Sequence, residues 1–591
     1  MTTGNLHIEW ARLLVGTLAQ AGIDRVILSP GARSTPLVVG ALRTAGLPIV
    51  DVLDERSAAF VALGCARATG RASLLVCTSG TAAAHYLPAI IEARYARLPL
   101  VVLTADRPPE LQDRAAPQTI DQRRLYGQHV LESIDLGLPD GDRHALAGLR
   151  YTALRAATTA LGPLAGPVHL NAAFRKPLEP QPAAAGDIEL TRRVDALLAA
   201  PLPAVASAVL TPSHAALEPV LDACQRRPRG LIVAGPAVAS QRALRTEVEK
   251  LSAATGFPLL VEAASQLGAS AGTPVVRCGS FDAILHSGLA ETFGPPELVL
   301  QLGAPPMSAA WARYMEKHAG RFVHVVLATD GLRDPTNGAH TFVGGDVSAS
   351  VRRLVEGLRS RGGVAPTSGA WVDAWRAAQG EFDRLLRERI DGAPASDFVQ
   401  GRAVREVLRS VPAHGVFMVG NSLAIRLVDA FGADLLPDVD VLSQRGASGI
   451  DGLISGAVGA ALATERPVTL LLGDVAFLHD LQGLEVARRL TTPLVVVVLN
   501  NDGGRIFEQL PMASAPELRP ELERHWVMSH GLSMHAAAEL FGHSYVAVSD
   551  PRELGAHLAE AQRHAGCTVV EVRVTPELVP ELWRLWSTVR S

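Results

Sequence analysis

Two residue pairs, Gly473-Asp474 and Asn500-Asn501, combine chemical type and spacing most sharply. Each follows a branched apolar run, Thr469–Leu472 and Pro493–Leu499. That puts both at carboxyl ends of parallel strands, where open α/β sheets bind ligands. Asn501 lies 27 positions beyond Asp474, about one strand–helix–strand crossover, so the two side chains are expected on neighbouring loops over one crevice. An Asp carboxylate, an Asn amide oxygen and a backbone carbonyl, here that of Gly503, are hard donors suited to Mg²⁺. Mn²⁺ is the alternative ion; phosphate oxygens and water would complete the octahedron. The run Asp502-Gly503-Gly504 lets backbone approach phosphate closely. On their own, Asp and Asn at strand ends are commonplace turn residues. A second charged site, Asp54-Glu55-Arg56, follows the strand-like Pro48–Leu53 and precedes a small-residue helix, Ser57–Ala68. Such a triplet is ordinarily a solvated loop, unless its carboxylate faces a ligand.

The elements that must position these residues repeat along the chain. Arg25–Ser29, Ser73–Cys77 and Leu98–Thr104 each precede a turn of small or polar residues, after the helical stretch Asn5–Gln20. Continuous apolar strands between amphipathic helices predict a parallel sheet covered on both faces. A second such stretch has Gly230–Ala234, Leu298–Leu302 and Phe322–Leu327; a third begins with helical Arg402–Ser410 and strand-like Val416–Val419. Pro- and Ala-rich Lys176–Ala206 and the segment Arg361–Gly369 read as linkers. The expected fold class is therefore α/β, with three open, mainly parallel-sheet domains at 1–185, 200–358 and 370–591. The first and third stretches echo each other: a strand, a small-residue turn, a helix carrying His85 or His479, then Pro-Leu-Val-Val. Either βαβ units simply resemble one another, or one fold occurs twice. Both histidines read as hydrogen-bonded structural residues rather than catalysts.

Composition narrows the class. A chain of 591 residues is long enough for roughly three or four domains. With 48% hydrophobic and 19% charged residues it is too apolar for a disordered chain. A net charge of −4 gives no reason to expect nucleic acid or an acidic membrane as partner. The five cysteines form no C-x-x-C pair, which argues against structural zinc or a disulfide framework. Cys65 and Cys77 read as buried small hydrophobes. No apolar run reaches the ~18 residues of a membrane span, and no basic-then-apolar leader opens the chain. The expected location is cytoplasmic.

The G-D-x segment followed one crossover later by N-N resembles the diphosphate-binding motif of thiamine-diphosphate enzymes, with Val475 where most of them have Gly. Further segments appear in order: Ser29–Leu37 (SPGARSTPL), Asp54-Glu55-Arg56, Thr78–Thr81 (TSGT), Leu103–Leu111 (LTADRPPEL), Gly420–Arg426 (GNSLAIR), Ser443–Gly452 (SQRGASGIDG) and Asn500–Phe507 (NNDGGRIF). Together they resemble the 2-succinyl-5-enolpyruvyl-6-hydroxy-3-cyclohexene-1-carboxylate synthase family of menaquinone biosynthesis, closely in both outer domains and poorly in the central one.

The resemblance implies thiamine diphosphate and Mg²⁺ as cofactors. It makes Glu55 the catalytic carboxylate that hydrogen-bonds the aminopyrimidine ring and favours its imino tautomer, whose nitrogen removes the thiazolium proton. Asn421, Ile450, Asp474, Val475, Asn501, Gly504 and Ile506 would bind the cofactor, with Ile450 propping its bent shape. Asp474, Asn501 and Gly503 would hold the metal. The family decarboxylates 2-oxoglutarate and adds the resulting succinyl-semialdehyde carbanion equivalent to isochorismate. Both substrates are dianions, and Arg pairs with carboxylates bidentately. By resemblance Ser422, Arg426 and Arg445 would hold the 2-oxoglutarate-derived chain, with Phe507 also contacting substrate, while Arg33, Arg107 and Gln118 would face isochorismate. The implied assembly is a dimer or a dimer of dimers (a homotetramer), with sites shared between subunits.

Two departures stand out. Pro117 replaces the Asn that often precedes the glutamine matching Gln118. In Gly303–Tyr314, Ala309-Ala310 stands where the family commonly has Lys, and Arg313, one helical turn on, is the available substitute. The rival expectations are another thiamine-diphosphate decarboxylase or carboligase, which the arginine-rich loops disfavour, and a catalytically silent scaffold. Joint retention of Glu55, Asp474 and Asn501 disfavours the latter.

Overall fold

The structure is a computed structural model and describes residues 1–362, 369–392, 394, 397 and 399–574. The expected linker Arg361–Gly369 falls largely outside the described residues. Three six-stranded sheets are present, and every strand pair is parallel.

The first sheet contains β1 (Val26–Leu28), β2 (Ile49–Asp51), β3 (Ser73–Cys77), β4 (Leu100–Asp106), β5 (Glu132–Asp135) and β6 (Pro167–Ala173). The second contains β7 (Gly230–Ala234), β8 (Leu259–Val261), β9 (Arg277–Cys278), β10 (Leu298–Leu302), β11 (Val323–Ala328) and β12 (Thr341–Gly344). The third contains β13 (Val416–Val419), β14 (Asp440–Leu442), β15 (Val468–Gly473), β16 (Pro493–Asn500), β17 (Ser544–Val548) and β18 (Gly566–Arg573). Central strands such as β3, β4, β7 and β10 are buried along their whole length, as a sheet covered on both faces requires.

The first sheet is ordered β2-β1-β3-β4-β6-β5 and the third β14-β13-β15-β16-β18-β17. Counted from its own first strand, each has the same order. The echo between the first and third stretches is therefore one topology used twice. The second sheet, β12-β11-β10-β7-β8-β9, has the other common doubly wound order. In the two repeated sheets the order reverses between β1 and β3 and between β13 and β15. The loops after these strands carry SPGAR, TSGT, GNSLAIR and Gly473-Asp474, so the motifs cluster at topological switch points.

The chain forms two compact units. One comprises Met1–Ala208 with Gln444–Glu465 and Asp480–Arg489; the other comprises Val209–Ser443, Arg466–His479 and Leu490–Ser591. In the first unit the helix Glu55–Thr69 packs on the helix Leu453–Thr464 at backbone contact distance. A Cβ on Gly64 would stand 2.0 Å from the Gly456 carbonyl oxygen, and one on Gly459 would stand 2.0 Å from that of Val61. Cys65 donates its thiol to the Gly459 carbonyl at 3.2 Å. Only glycine permits this approach.

The Lys176–Ala206 segment corrects the linker expectation. Ala185–Ala199 is a helix whose Leu190 and Val194, spaced four apart, are buried in the core of the first sheet. An apolar pair on one helical face outweighed the Pro- and Ala-rich composition. Cys65 and Cys77 are buried as expected. Among the described residues no helix is long and apolar enough to cross a membrane.

Candidate functional site

In the second unit, Asp474 opens the helix Asp474–His479 directly after β15. Its buried carboxylate accepts N–H groups from Val475 at 2.7 Å and from Gly503 at 2.9 Å. Burial pushes its pKa up, and those two N–H groups and His530 pull it back. His530 Nδ1 accepts the Leu532 N–H at 3.0 Å, so Nε2 carries the proton offered to Asp474 Oδ2 at 3.3 Å. Asn501, after β16, is equally buried, and its Oδ1 has no hydrogen-bond partner. An orphaned buried acceptor costs about 1–3 kcal/mol, so something must meet it. A cation satisfies both a buried carboxylate and an orphaned amide oxygen.

The backbone here is shaped to match. Asp502 is left-handed at φ 59° and Gly503 lies at φ 128°. A Cβ on Gly503 would meet the Val527 carbonyl at 2.5 Å. The Asp502 carboxylate ties the turn down by accepting N–H groups of His530 and Gly531 at 3.0 and 2.9 Å. Buried Arg505 donates to the Asn501 carbonyl at 3.1 Å and pairs with Glu508 and Glu523. The Gly503 carbonyl accepts the Arg505 N–H at 2.9 Å and keeps a second lone pair. Among the described residues no three His, Cys, Asp or Glu side chains form a metal group of their own. An ion here would take one carboxylate, one amide and one carbonyl from the protein and the rest from a phosphorylated ligand.

On the same sheet, Ser422 follows β13 at φ 64°, ψ −126° and caps the helix Leu423–Phe431. This conformation is unusual for a residue with a side chain, and such strain concentrates at ligand sites. Arg426 is exposed one turn into the helix and donates to the Ser422 carbonyl at 2.5 Å. Asn421 is buried beside Ser422. Val475, Gly504, Ile506 and Phe507 are half-buried.

In the first unit, Asp54 caps the helix Glu55–Thr69 by accepting the Ser57 N–H at 2.9 Å. Glu55 is therefore fixed in the first helical turn, half-buried, where the helix dipole favours a carboxylate. Its negative field reaches Cys77 at the end of β3 and adds to the burial that raises that thiol's pKa. Arg33 is buried; one amino group donates to the Phe174 carbonyl at 2.7 Å, and its Nε has no partner. Burial and the positive field of Arg107 both lower the Arg33 pKa. The Asp106 carboxylate opposes that shift on Arg33 and on Arg107, so the two guanidinium groups share one nearby negative charge. Arg107 donates to the Ser79 hydroxyl, and Gln118, left-handed at φ 59°, donates to the Ser79 carbonyl at 3.3 Å. Arg107 and Gln118 therefore meet at Ser79 of the TSGT loop, and Arg33 lies within reach of the Arg107 charge.

Sequence reasoning missed the residues holding that loop. Gln122, fully buried, accepts the Gly80 N–H at 2.8 Å and donates to Ala105 and Asn171. Asn171 in turn donates to the Asp106 carboxylate at 2.9 Å, and Asp106 accepts the Arg107 N–H at 2.7 Å. No local pattern marks Gln122 or Asn171, whose partners are distant in sequence, whereas Asp106 lies within the LTADRPPEL segment. His85 and His479, read as hydrogen-bonded structural residues, lie exposed at the ends of short helices. Arg313 is exposed in the second unit, on the helix Ala309–Lys317. Glu55, Arg33, Arg107, Gln118, Arg445 and Ile450 belong to the first unit, and the remaining candidates belong to the second.

Comparison with known proteins divides the chain by sequence instead. Residues 8–125 match the family described as "Thiamine pyrophosphate enzyme, N-terminal TPP binding domain", and residues 437–572 match its "C-terminal TPP binding domain". With the repeated sheets, these matches define a thiamine-diphosphate enzyme. Arg445 and Ile450 fall within the C-terminal match although they pack in the first unit. A protein of Sorangium cellulosum is 43% identical, covering 100% of this chain and 96% of its own length. Relatives from Haloarcula marismortui and Geobacillus kaustophilus are each 38% identical, covering 97% and 98% of this chain and 96% and 97% of their own. All three are named 2-succinyl-5-enolpyruvyl-6-hydroxy-3-cyclohexene-1-carboxylate synthase, and the chain belongs to that family.

Proposed function

We propose that the protein is a thiamine-diphosphate- and Mg²⁺-dependent transferase of menaquinone biosynthesis. It decarboxylates 2-oxoglutarate and adds the succinyl-semialdehyde carbanion equivalent in a 1,4 sense to isochorismate, giving 2-succinyl-5-enolpyruvyl-6-hydroxy-3-cyclohexene-1-carboxylate and CO₂. The observation that carries this reading is identity of 38–43% to synthases over nearly the whole chain. The neighbouring guanidinium groups of Arg33 and Arg107 support it, since both substrates are dianions.

In this reading the first domain, expected at 1–185 and extended by the helix Ala185–Ala199, binds the pyrimidine, and residues 200–358 and 370–591 are the central and diphosphate-binding domains. Thiamine diphosphate, when bound, supplies the carbon acid and the electron sink for decarboxylation. The protein's own work is to hold, orient and shield. Asp474, Asn501 Oδ1 and the Gly503 carbonyl hold Mg²⁺, while Asn421, Val475, Gly504 and Ile506 line the cofactor and Ile450 props it. The Glu55 carboxylate holds a proton at the aminopyrimidine ring. Ser422, Arg426 and Arg445 orient the 2-oxo acid, with Phe507 against it, and Arg33, Arg107 and Gln118 orient the acceptor. We further place the enzyme in the cytoplasm as a dimer or dimer of dimers, with the Glu55 of one subunit serving the cofactor anchored by its partner.

The deciding experiment mixes the protein with 2-oxoglutarate, isochorismate, thiamine diphosphate and Mg²⁺ and follows isochorismate loss together with CO₂ release. Turnover of pyruvate without turnover of 2-oxoglutarate would move the protein to another decarboxylase or carboligase. Absence of cofactor binding by calorimetry would reduce it to a silent relative.

A further inference from the structure

The stretch Arg445–Gly452 contains no helix or strand, yet its backbone is tightly specified. Ser448 is left-handed at φ 64° and Gly452 at φ 67°. Three successive N–H groups, those of Gly446, Ala447 and Ser448, point into one carboxylate, Glu92, at 2.8, 2.6 and 3.3 Å. Glu92 sits in the helix Leu87–Ala96 and is only 3% exposed. Gly446 lies flat against that helix: a Cβ there would stand 2.4 Å from the Glu92 carbonyl oxygen. Buried Arg67 also pairs with the carboxylate, at 2.6 Å.

We propose that Glu92 is a positioning residue whose carboxylate sets the geometry of the Arg445–Ile450 loop, and so of the side chains that meet the 2-oxo acid and the cofactor. The proposal rests on the reading of Arg445 and Ile450 given above. Its basis is an asymmetry. The loop depends on Glu92 for three hydrogen bonds, whereas Arg67 bonds Glu92 and none of the three loop N–H groups. Removing Arg67 leaves the carboxylate with its three backbone donors. Turning Glu92 into Gln puts an NH₂ group against donors whichever way the amide is rotated, because both carboxylate oxygens accept from the loop.

The test uses the full chain loaded with thiamine diphosphate and Mg²⁺ and compares Glu92→Gln with Arg67→Met. KM for 2-oxoglutarate and the rate of tryptic cleavage after Arg445, followed by mass spectrometry, are read on each. Glu92→Gln is expected to raise KM roughly tenfold to a hundredfold, since a misplacement of ~1 Å costs up to about 10²-fold. It should also speed cleavage, while Arg67→Met lowers the melting temperature and leaves both readouts unchanged. Should Glu92→Gln fail to fold, Glu92→Asp, which draws the carboxylate back by one methylene, should give the same two changes at smaller size. The proposal is overturned if the Glu92 variant moves neither readout, or if Arg67→Met moves both equally. A wild-type protein inert toward 2-oxoglutarate would sink the functional reading alone, because the cleavage comparison would still judge Glu92.

Discussion

Adding one methyl group at Gly64 provides a sharp check on how the first unit is assembled. An Ala Cβ there would lie 2.0 Å from the Gly456 oxygen, 2.7 Å from its carbonyl carbon and 2.8 Å from its Cα. A tolerable carbon–oxygen contact is roughly 3.3 Å, so the helices Glu55–Thr69 and Leu453–Thr464 must separate by about 1.3 Å. The obstructing atoms are backbone, so no rotamer change relieves them. Gaps of ~0.5–1 Å already forfeit a quarter to a half of each dispersion contact along the seam. Overpacking costs about 1–3 kcal/mol, and the rigidity of both partners puts Gly64→Ala near the top, about 3 kcal/mol. At roughly 2–4 °C per kcal/mol for a unit of this size, the melting temperature should fall by about 6–12 °C. Gly148, within the helix Arg143–Leu161, has nothing within 4 Å of its Cβ direction. Gly148→Ala should therefore be neutral or stabilising by up to ~1 kcal/mol. Scanning calorimetry of the cofactor-free variants at matched concentration and scan rate makes the comparison. A fall under about 2 °C for Gly64→Ala, or equal behaviour of the two variants, would refute a seam set by glycine contact.

Other perturbations follow from the same geometry. Glu55→Gln should cut turnover by roughly 10²–10⁴-fold while calorimetric affinity for thiamine diphosphate stays within a few-fold; Asp474→Ala should abolish that affinity, and equal losses would contradict the division of labour. Chelating divalent ions should remove the thermal shift given by thiamine diphosphate, and Mg²⁺ should restore it; a shift that survives chelation would count against Asp474 and Asn501 as metal ligands. Buried Asp480 accepts the Ser455 N–H and hydroxyl, and burial raises its pKa to about 6. Its folded state binds the extra proton, so stability falls as pH rises from about 4 to about 6. Asp480→Asn should thus gain up to ~3 kcal/mol at pH 7.5 and nothing near pH 4, read as melting temperature against pH. Burial lowers His169 to about 4, so the unfolded chain takes its proton first. As pH falls from about 6.5 to 4 this group should remove roughly 3 kcal/mol, a loss that His169→Gln should abolish.

Most strands read from sequence are buried central ones with runs of Leu, Ile and Val, although the edge strand β2 was also read, within the strand-like Pro48–Leu53. Five of the strands that went unread, β5, β9, β12, β14 and β17, are edges of their sheets; β8 and β18 also went unread although they are largely buried and internal. An edge strand is half solvated: β5 has no fully buried residue and β17 only one, so no continuous apolar run marks it. Strand β6 is buried throughout but carries His169 and Asn171, whose polarity is absorbed by Thr104 at 2.8 Å each. Polar residues there look like a loop until their partners are known. The same logic governs the site. Asp474, Asn501, Glu55 and the arginines lie in short contiguous motifs at strand ends and were legible. Glu92, Gln122 and His530 act through partners tens or hundreds of positions away, which a linear reading does not bring together.

The seam between the helices Glu55–Thr69 and Leu453–Thr464 also bears on how the chain is made. Cys65 bonds a carbonyl 394 positions further on. At about 5–20 residues per second, the ribosome needs roughly 20–80 s to deliver Gly459 after Cys65 has been added. Throughout that interval the face of the earlier helix around Gly64 and Cys65 has no cover, while the strands of its own sheet are already available to collapse around it. A nascent chain in that state offers chaperones a defined target. Premature release before residue 465 would leave the first sheet with its late-arriving helix incomplete, so truncated products should be recovered in aggregates rather than as a soluble amino-terminal domain.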